Sequence, residues 1–275
     1  MLLDVQHLTV VFEGMRSTVT AVDAVSFQIA PGETLGLVGE SGSGKSVTAL
    51  TTALTILRLL QPPGRVTTGR VMFEGRDLLA LPERDMRRIR GARMSLIFQE
   101  PMTALNPVMR VGDQIAEALI VHGQAGAREA RERASELLNA VHMPDAARRA
   151  RDYPHQLSGG MRQRVMIAIA LACRPALVIA DEPTTALDVT IQAQVLELLR
   201  ELREQYNLAL LLITHDFGVI AAMADRVAVM YRGAIVEQGP VRQMLRAPDH
   251  DYTRGLLAAV PGAGVRLPAR DDSRS

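Results

Sequence analysis

The stretch Gly39-Glu40-Ser41-Gly42-Ser43-Gly44-Lys45-Ser46 matches the phosphate-binding pattern G-x-x-x-x-G-K-[ST] in full. The apolar run 34–38 before it has the length of a strand, and residues 47–60 lack Gly and Pro, which is typical of a helix. A glycine-rich turn between a strand and a helix points backbone N–H groups at phosphate oxygens, and the helix N-terminus adds positive charge. The pattern therefore predicts a nucleoside triphosphate site. The alternative, a chance glycine-rich turn, does not explain the flanking strand and helix.

The composition limits the classes of protein that the chain can belong to. It has 275 residues with 31 Lys and Arg against 30 Asp and Glu, so its charge gives no reason to expect nucleic acid as a partner. The single cysteine, Cys173, excludes an intrachain disulfide and cysteine-based zinc or iron–sulfur sites. No signal pattern opens the sequence, and no apolar run approaches the roughly 18 residues that span a bilayer. We expect a cytosolic chain whose membrane contact comes through a partner.

The remaining sequence predicts an α/β fold with two additions to its core. Residues 2–38 are rich in β-branched and alternating apolar residues, which predicts a β-subdomain at the N-terminus. Residues 61–70 contain two prolines and two glycines and are expected to form a loop. From about 100 to 160 the pattern becomes helical and indicates an inserted helical subdomain. Apolar runs at 177–180 and 208–213 are typical of strands buried on both faces of a parallel sheet.

Two carboxylates, Asp181 and Glu182, follow directly after the apolar run 177–180. Burying this pair without a cation would be costly. Beside a triphosphate, Asp181 can hold Mg²⁺, directly or through water, and Glu182 can accept a proton from an attacking water. The alternative interpretation is an ordinary turn at a strand end, since Pro183 comes next.

A second glycine-containing stretch, Leu157-Ser158-Gly159-Gly160, precedes a helix that we expect to begin near Met161. Ser158 can cap that helix, and the glycines expose backbone N–H groups, which makes a second anion site at a helix N-terminus. Alone, this stretch would be an ordinary helix cap. Together with residues 39–46 and the Asp181-Glu182 pair, it resembles the signature of ATP-binding cassette (ABC) ATPases.

This resemblance implies roles for further residues. In that family the Ser-Gly-Gly element binds the γ-phosphate held by the other subunit, so that two chains enclose two ATP molecules. Gln99 resembles the Q-loop glutamine that senses Mg²⁺ and the attacking water, and Ala186-Leu187-Asp188 resembles the D-loop. His215 resembles the switch histidine at the γ-phosphate, although by itself it would be a structural residue at a strand end. Phe12 lies near the place of the aromatic that stacks on adenine, or it is a core-facing residue on an edge strand.

The site predicted for ATP and Mg²⁺ thus has three sets of residues. The catalytic residues are Glu182, His215, Gln99 and Lys45, of which Lys45 can reach the β- and γ-phosphates. The metal ligands are Ser46, Gln99 and Asp181. The nucleotide contacts are Gly39, Glu40, Ser41, Gly42, Ser43, Gly44, Lys45, Ser46, Val47, Phe12, Ser158, Gly159, Gly160 and Asp188.

Two further stretches, 98–107 and 249–257, are similar to the ATPase subunits of oligopeptide and dipeptide importers, a group that also contains nickel and glutathione systems. The second stretch usually reads His-Pro-Tyr-Thr, but here Asp251 replaces the proline, and the cysteine cluster that some relatives carry after it is absent. The resemblance implies an ABC-type P-loop NTPase domain over residues 1–260. The polar residues 261–275 are expected to form a disordered tail.

The resemblance also implies a function: an ATPase peripheral to the cytoplasmic face of the cell membrane that powers peptide uptake. Its expected partners are a second ABC ATPase subunit, in a heterodimer or a homodimer, two transmembrane permease subunits and, indirectly, an extracytoplasmic solute-binding protein. Nickel, glutathione or another small solute is the alternative cargo. The rival functions are a soluble cassette ATPase acting on DNA or ribosomes, a small-molecule kinase and an exporter cassette. The sequence does not encode the cargo, because such an ATPase never touches it.

Overall fold

Two β-sheets, packed with helices, make up the protein. The structure, a computed structural model, describes residues 1–14, 17–39, 45–185 and 187–258, with only the backbone of 45–47. The strands are β1 (Leu3–Glu13), β2 (Thr18–Ile29), β3 (Thr34–Val38), β4 (Gly64–Phe73), β5 (Arg76–Asp77), β6 (Met94–Ile97), β7 (Leu177–Asp181), β8 (Ala209–Ile213), β9 (Arg226–Tyr231) and β10 (Ala234–Pro240). The helices are α1 (Lys45–Ile56), α2 (Glu83–Ile89), α3 (Pro101–Ala104), α4 (Val111–Val121), α5 (Ala127–Ala140), α6 (Ala146–Arg149), α7 (Gly159–Leu171), α8 (Val189–Tyr206), α9 (Phe217–Met223), α10 (Val241–Arg246) and α11 (Asp251–Ala258).

The first sheet is antiparallel, with the strand order β2-β1-β4-β5. The expectation that residues 61–70 form a loop is wrong, because β4 begins at Gly64 and pairs with β1. Its β-branched residues favour a strand, and Gly69 permits the pairing across a bulge in β1. A Cβ atom at Gly69 would lie 2.6 Å from the Cα of Leu8, and its φ of +106° is unfavourable for other residues. Gly69 therefore marks an irregularity within a paired strand, and the two prolines of the segment lie before β4 begins.

Phe12 lies on β1, which is an inner strand of this sheet. The expectation of an edge strand is therefore wrong. The ring is half-buried and packs against the apolar core, and its Cε1 atom would be 2.9 Å from a Cβ atom at Gly64. Contact with adenine remains a prediction for this residue.

The second sheet has the order β10-β9-β3-β8-β7-β6, in which all neighbours are parallel except β10 and β9. Strands β7 and β8 are buried along their whole length. Successive side chains point to opposite faces of a strand, so Val178 and Leu210 join one core cluster while Ile179 and Leu211 join the other. The sheet thus separates two apolar cores, which explains the continuous apolar runs in its strands.

Helices α3 to α6 are inserted between β6 and α7. The N-terminus of α4 is held by two backbone hydrogen bonds, from Val111 N to Asp152 O (3.0 Å) and from Gly112 N to Ala150 O (2.9 Å). A Cβ atom at Gly112 would come within 2.6 Å of the Ala150 oxygen, so only glycine permits this approach without a shift. Two hydrogen bonds therefore connect the start of α4 to the segment 150–152, which precedes α7 in the chain.

The C-terminal stretch 249–257 is anchored on β9 and β10. Glu237 accepts hydrogen bonds from the backbone N–H groups of Asp249 (2.8 Å) and His250 (3.1 Å), and the Tyr252 ring packs on Tyr231 at 4.1 Å between centroids. Asp251, at the position where the resemblance predicts a proline, is the first residue of α11. Proline and acidic residues are both favoured in the first turn of a helix, so this replacement is compatible with the same local structure.

The polar tail predicted at 261–275 lies outside the described residues. Within the ranges that the structure describes, no helix has both the length and the apolar character needed to cross a membrane.

Candidate functional site

Four neighbouring parallel strands end at one edge of the second sheet. Gly39 follows β3, Gln99 follows β6, Asp181 ends β7 and His215 follows β8. The strands β3, β8, β7 and β6 are parallel neighbours in that order. These four residues therefore all lie at the carboxyl-terminal edge of the sheet. Such an edge is the place where open α/β sheets bind ligands. The fold thus brings together sequence motifs that are separated by up to 176 positions, from Gly39 to His215.

Glu182 is the centre of this edge. Its Oε2 atom accepts hydrogen bonds from Gln99 Nε2 at 3.1 Å and from Thr185 Oγ1 at 2.8 Å, and its Oε1 atom lies 3.0 Å from His215 Nδ1. Glu182 is buried, whereas the His215 side chain is 51% exposed. A buried carboxylate is thereby held by groups from three separate loops.

The backbone of Glu182 is also constrained. Its φ of +44° lies in the left-handed region, which costs energy for a residue with a side chain. Its N–H group donates to Ile213 O at 2.8 Å, and its carbonyl oxygen accepts from Thr185 N at 3.1 Å. Strain that the surroundings impose in this way is typical of functional sites.

Asp181, the last residue of β7, is 6% exposed. Together with the Gln99 amide it offers the hard oxygen atoms that Mg²⁺ prefers. Among the described residues no group of three or more His, Cys, Asp and Glu side chains forms a metal site. Since Mg²⁺ is usually held by one or two carboxylates and by substrate phosphates, the residues at this edge fit that ion.

The phosphate-binding stretch connects β3 to α1. Gly39 is buried directly after β3, and α1 begins at Lys45, as the strand–turn–helix pattern predicts. Residues 40–44 lie outside the described residues, as do the side chains of 45–47. Helix α1 packs into the core through Ala49 and Ala53. In sequence, α1 comes after β3, which ends at the same sheet edge as β7 and Glu182.

The second glycine stretch lies at the N-terminus of α7. Ser158 caps this helix, with its Oγ atom 3.4 Å from Met161 N, and both Ser158 and Gly159 are exposed. The helix begins at Gly159, slightly earlier than expected. A Cβ atom at Gly160 would lie 2.7 Å from Ile191 Cγ2, and one at Gly159 would lie 3.7 Å from Leu187 Cδ2. The stretch therefore rests on the segment that opens α8.

Asp188 caps α8, because its Oδ1 atom accepts a hydrogen bond from Ile191 N at 2.9 Å. Ala186, which begins the same D-loop stretch, lies outside the described residues. Neither Asp188 nor Ser158 makes any of the three contacts that hold Glu182. The predicted residues thus belong to two sets of contacts: the strand-end cluster around Glu182, and the α7–α8 surface around Ser158.

Thr185 is a site residue that the sequence analysis missed. Its hydroxyl group makes the shortest of these three contacts with Glu182. A sequence pattern could have indicated this contact. Thr185 carries a hydroxyl group three residues after the Glu182 carboxylate, and Pro183 between them favours a turn.

Comparison with known proteins agrees with this geometry. The family model described as ABC transporter matches residues 22–185. The oligopeptide transport ATP-binding protein AppD of Bacillus subtilis is 53% identical over 261 residues, which are 94% of this chain and 78% of that protein. The dipeptide transport ATP-binding protein DppD of the same organism is 52% identical over 260 residues, 94% of this chain and 76% of that protein.

Among solved structures, a dimeric post-hydrolysis state of the ATP-binding cassette MJ0796 bound to ADP and Pi is similar to this chain. The TM-score is 0.76 at 29% identity, and the match covers 88% of this chain and 99% of that one. This likeness confirms the predicted fold class, an ABC-type P-loop core with an antiparallel β-subdomain and an inserted helical subdomain.

Proposed function

This chain belongs to the ABC transporter family, and from that premise we propose that it hydrolyses ATP to power the import of peptides through separate membrane subunits. The observation that carries the proposal is the cluster around Glu182: a buried carboxylate held by Gln99, Thr185 and His215, at the same sheet edge where Gly39 follows β3. Such an arrangement suits the activation of a water molecule next to a bound triphosphate.

In the proposed reaction, Glu182 orients a water molecule and takes its proton as the water oxygen bonds to the γ-phosphorus in line with the leaving group. The bond between the γ-phosphorus and the bridging oxygen breaks, and ADP and phosphate are the products. Lys45 and His215 hold the γ-phosphate and offset the charge that develops on it. Ser46, Asp181 and Gln99 would hold Mg²⁺, which would supply positive charge at the phosphates.

Ser158, Gly159 and Gly160 serve the nucleotide of a second ATPase subunit in this proposal. A helix N-terminus with an accessible surface attracts anions, and the 13-residue α7 begins at these glycines. The dimeric state of the MJ0796 cassette is consistent with such an arrangement. We place the Asp188 segment at the same interface, because it packs beneath the glycines.

The partners are proposed from the same family. The chain pairs with a second, different ABC ATPase on two permease subunits at the cytoplasmic face of the membrane, where it is a peripheral subunit. A solute-binding protein outside the membrane delivers the cargo.

Peptides are the proposed cargo, because relatives named for oligopeptides and for dipeptides share 53% and 52% identity with this chain. These nearly equal values do not distinguish the two peptide lengths. Nickel or glutathione is the second candidate, from the resemblance of 98–107 to that wider group of importers.

Reconstitution in proteoliposomes tests the proposal. The chain is co-purified with its permeases and second ATPase and supplied with ATP on its own side and the binding protein on the other. We expect uptake of labelled di- or oligopeptides that requires ATP and is lost with Lys45→Ala, which weakens nucleotide binding. Uptake of nickel or glutathione in place of peptides would give the alternative cargo. ATP affinity that is unchanged in Lys45→Ala would contradict the phosphate-loop assignment.

A further inference from the structure

Thr185 differs from the other groups that hold Glu182. Gln99 and His215 are exposed and belong to loops that follow β6 and β8, whereas Thr185 is half-buried and only three residues from Glu182. Its hydroxyl group donates to Oε2 at 2.8 Å, and its backbone N–H donates to the Glu182 carbonyl at 3.1 Å. Thr185 thus holds Glu182 through both the main chain and the side chain.

The two types of contact respond differently to movement of the loops. A rearrangement of the Gln99 loop or of the His215 loop can separate those side chains from Glu182, because they are 83 and 33 positions away in sequence. The Thr185 contact lies within a single turn, whose backbone hydrogen bond sets the distance between the two residues. It can therefore persist while the other two groups turn toward a nucleotide.

We propose that Thr185 is a positioning residue for hydrolysis, whose hydroxyl group fixes the rotamer of Glu182 throughout the ATPase cycle. This inference rests on the proposed function, in which Glu182 is the general base. An unrestrained glutamate samples several rotamers, and only one places its carboxylate at the attacking water.

The first test replaces the hydroxyl group but keeps the shape of the side chain. Thr185→Val should lower kcat for ATP about 10- to 100-fold, the effect of losing a hydrogen bond to a charged group. The KM for ATP and the affinity for ATP should not change, since Thr185 acts through Glu182. Thr185→Ser keeps the hydroxyl group and should restore most of the turnover. Thr67→Val is the matched control: Thr67 is exposed on β4, and its hydroxyl contacts Thr9 O at 3.3 Å.

The second test separates positioning from a structural role. Single-turnover rates with labelled ATP should be the same for E182Q and for E182Q/T185V, because the base that Thr185 positions is already missing. Equal fold-losses from Thr185→Val with and without Glu182→Gln would overturn the inference, because they would show that Thr185 acts independently of Glu182. A kcat of Thr185→Val that equals the kcat of the parent protein would also overturn the inference. If Thr185→Val does not fold, as judged by circular dichroism and ATP binding, Thr185→Ala is measured by the same criteria.

Failure of the inference and failure of the proposed function give different results. If Glu182→Gln alone leaves turnover within a few-fold of the parent, the assignment of Glu182 as the base fails, whatever Thr185 does. If Glu182→Gln abolishes turnover but Thr185→Val leaves kcat for ATP unchanged, only the role of Thr185 fails.

Discussion

The strand-end cluster around Glu182 and the α7–α8 surface around Ser158 are built in opposite ways. Glu182 is 8% exposed and is held by side chains from three loops of the same chain. Ser158 is exposed, and its side chain makes a long cap contact of 3.4 Å with Met161 N. Burial and hydrogen bonds from the same chain thus hold Glu182 in the first region. The second region presents a helix N-terminus to the outside, which is what a half-site for a second subunit requires in the proposed function.

Glu182→Gln has the largest expected effect, because it removes the central group of the buried region. The substitution keeps the size of the side chain but cannot take up a proton. We expect turnover to fall roughly 10²- to 10⁴-fold, the contribution of a positioned base, while ATP binds normally. Steady-state phosphate release and equilibrium binding of labelled ATP measure the two quantities. Turnover within a few-fold of the parent would remove Glu182 from this role.

Ser158→Arg tests whether the exposed region works in a second subunit. We expect ATP binding by the separate chain to be intact, since in the proposed function that chain holds its own nucleotide through residues 39–46 and not through Ser158. ATP-driven dimerisation should be blocked, and turnover should fall about 100-fold as the donors to the partner's phosphate are lost. Analytical ultracentrifugation of the chain mixed with its partner ATPase, with and without ATP, measures the dimer, in the Glu182→Gln background to slow hydrolysis. A dimer that still forms would contradict the half-site model.

Gly160→Ala gives the smallest expected effect and sharpens the comparison within the exposed region. The Cβ atom of an alanine at position 160 would be 2.7 Å from Ile191 Cγ2, so α7 and α8 must separate slightly or Ile191 must move. Overpacking of this kind costs about 1–3 kcal/mol of folding free energy or shifts the local backbone. Ile191→Ala removes the opposing methyl group and should relieve the defect in the double variant.

Denaturant unfolding of the two single variants and of G160A/I191A tests this pairing. Gly159→Ala is the matched control for stability, because its Cβ atom would have an ordinary contact of 3.7 Å with Leu187. If Gly160→Ala and Gly159→Ala have the same free energy of unfolding, the contact with Ile191 does not matter.

Local patterns made much of the fold predictable. The strand–turn–helix context of residues 39–46, the buried strands β7 and β8 and the cap at Ser158 each depend on a few consecutive residues. The loop expected at 61–70 was wrong, because Gly69 is required by a close approach of Leu8 on β1, and nothing adjacent to Gly69 in sequence reveals that neighbour. The edge position expected for β1 was also wrong, because β4 pairs with β1 and so places β1 between β2 and β4. That pairing joins distant segments and cannot be read from local sequence.

The groups that the protein carries for phosphate chemistry can be identified from its amino acids alone: a glycine-rich stretch with Lys45, the paired carboxylates and a second glycine stretch after Ser158. Periodicity and turn chemistry act over a few residues, so they can be read from the chain directly. The meeting of Gln99 and His215 at one carboxylate depends on the tertiary structure, because these two contacts join residues 83 and 33 positions apart. The parallel order β3-β8-β7-β6 brings those residues together, and no local pattern encodes it.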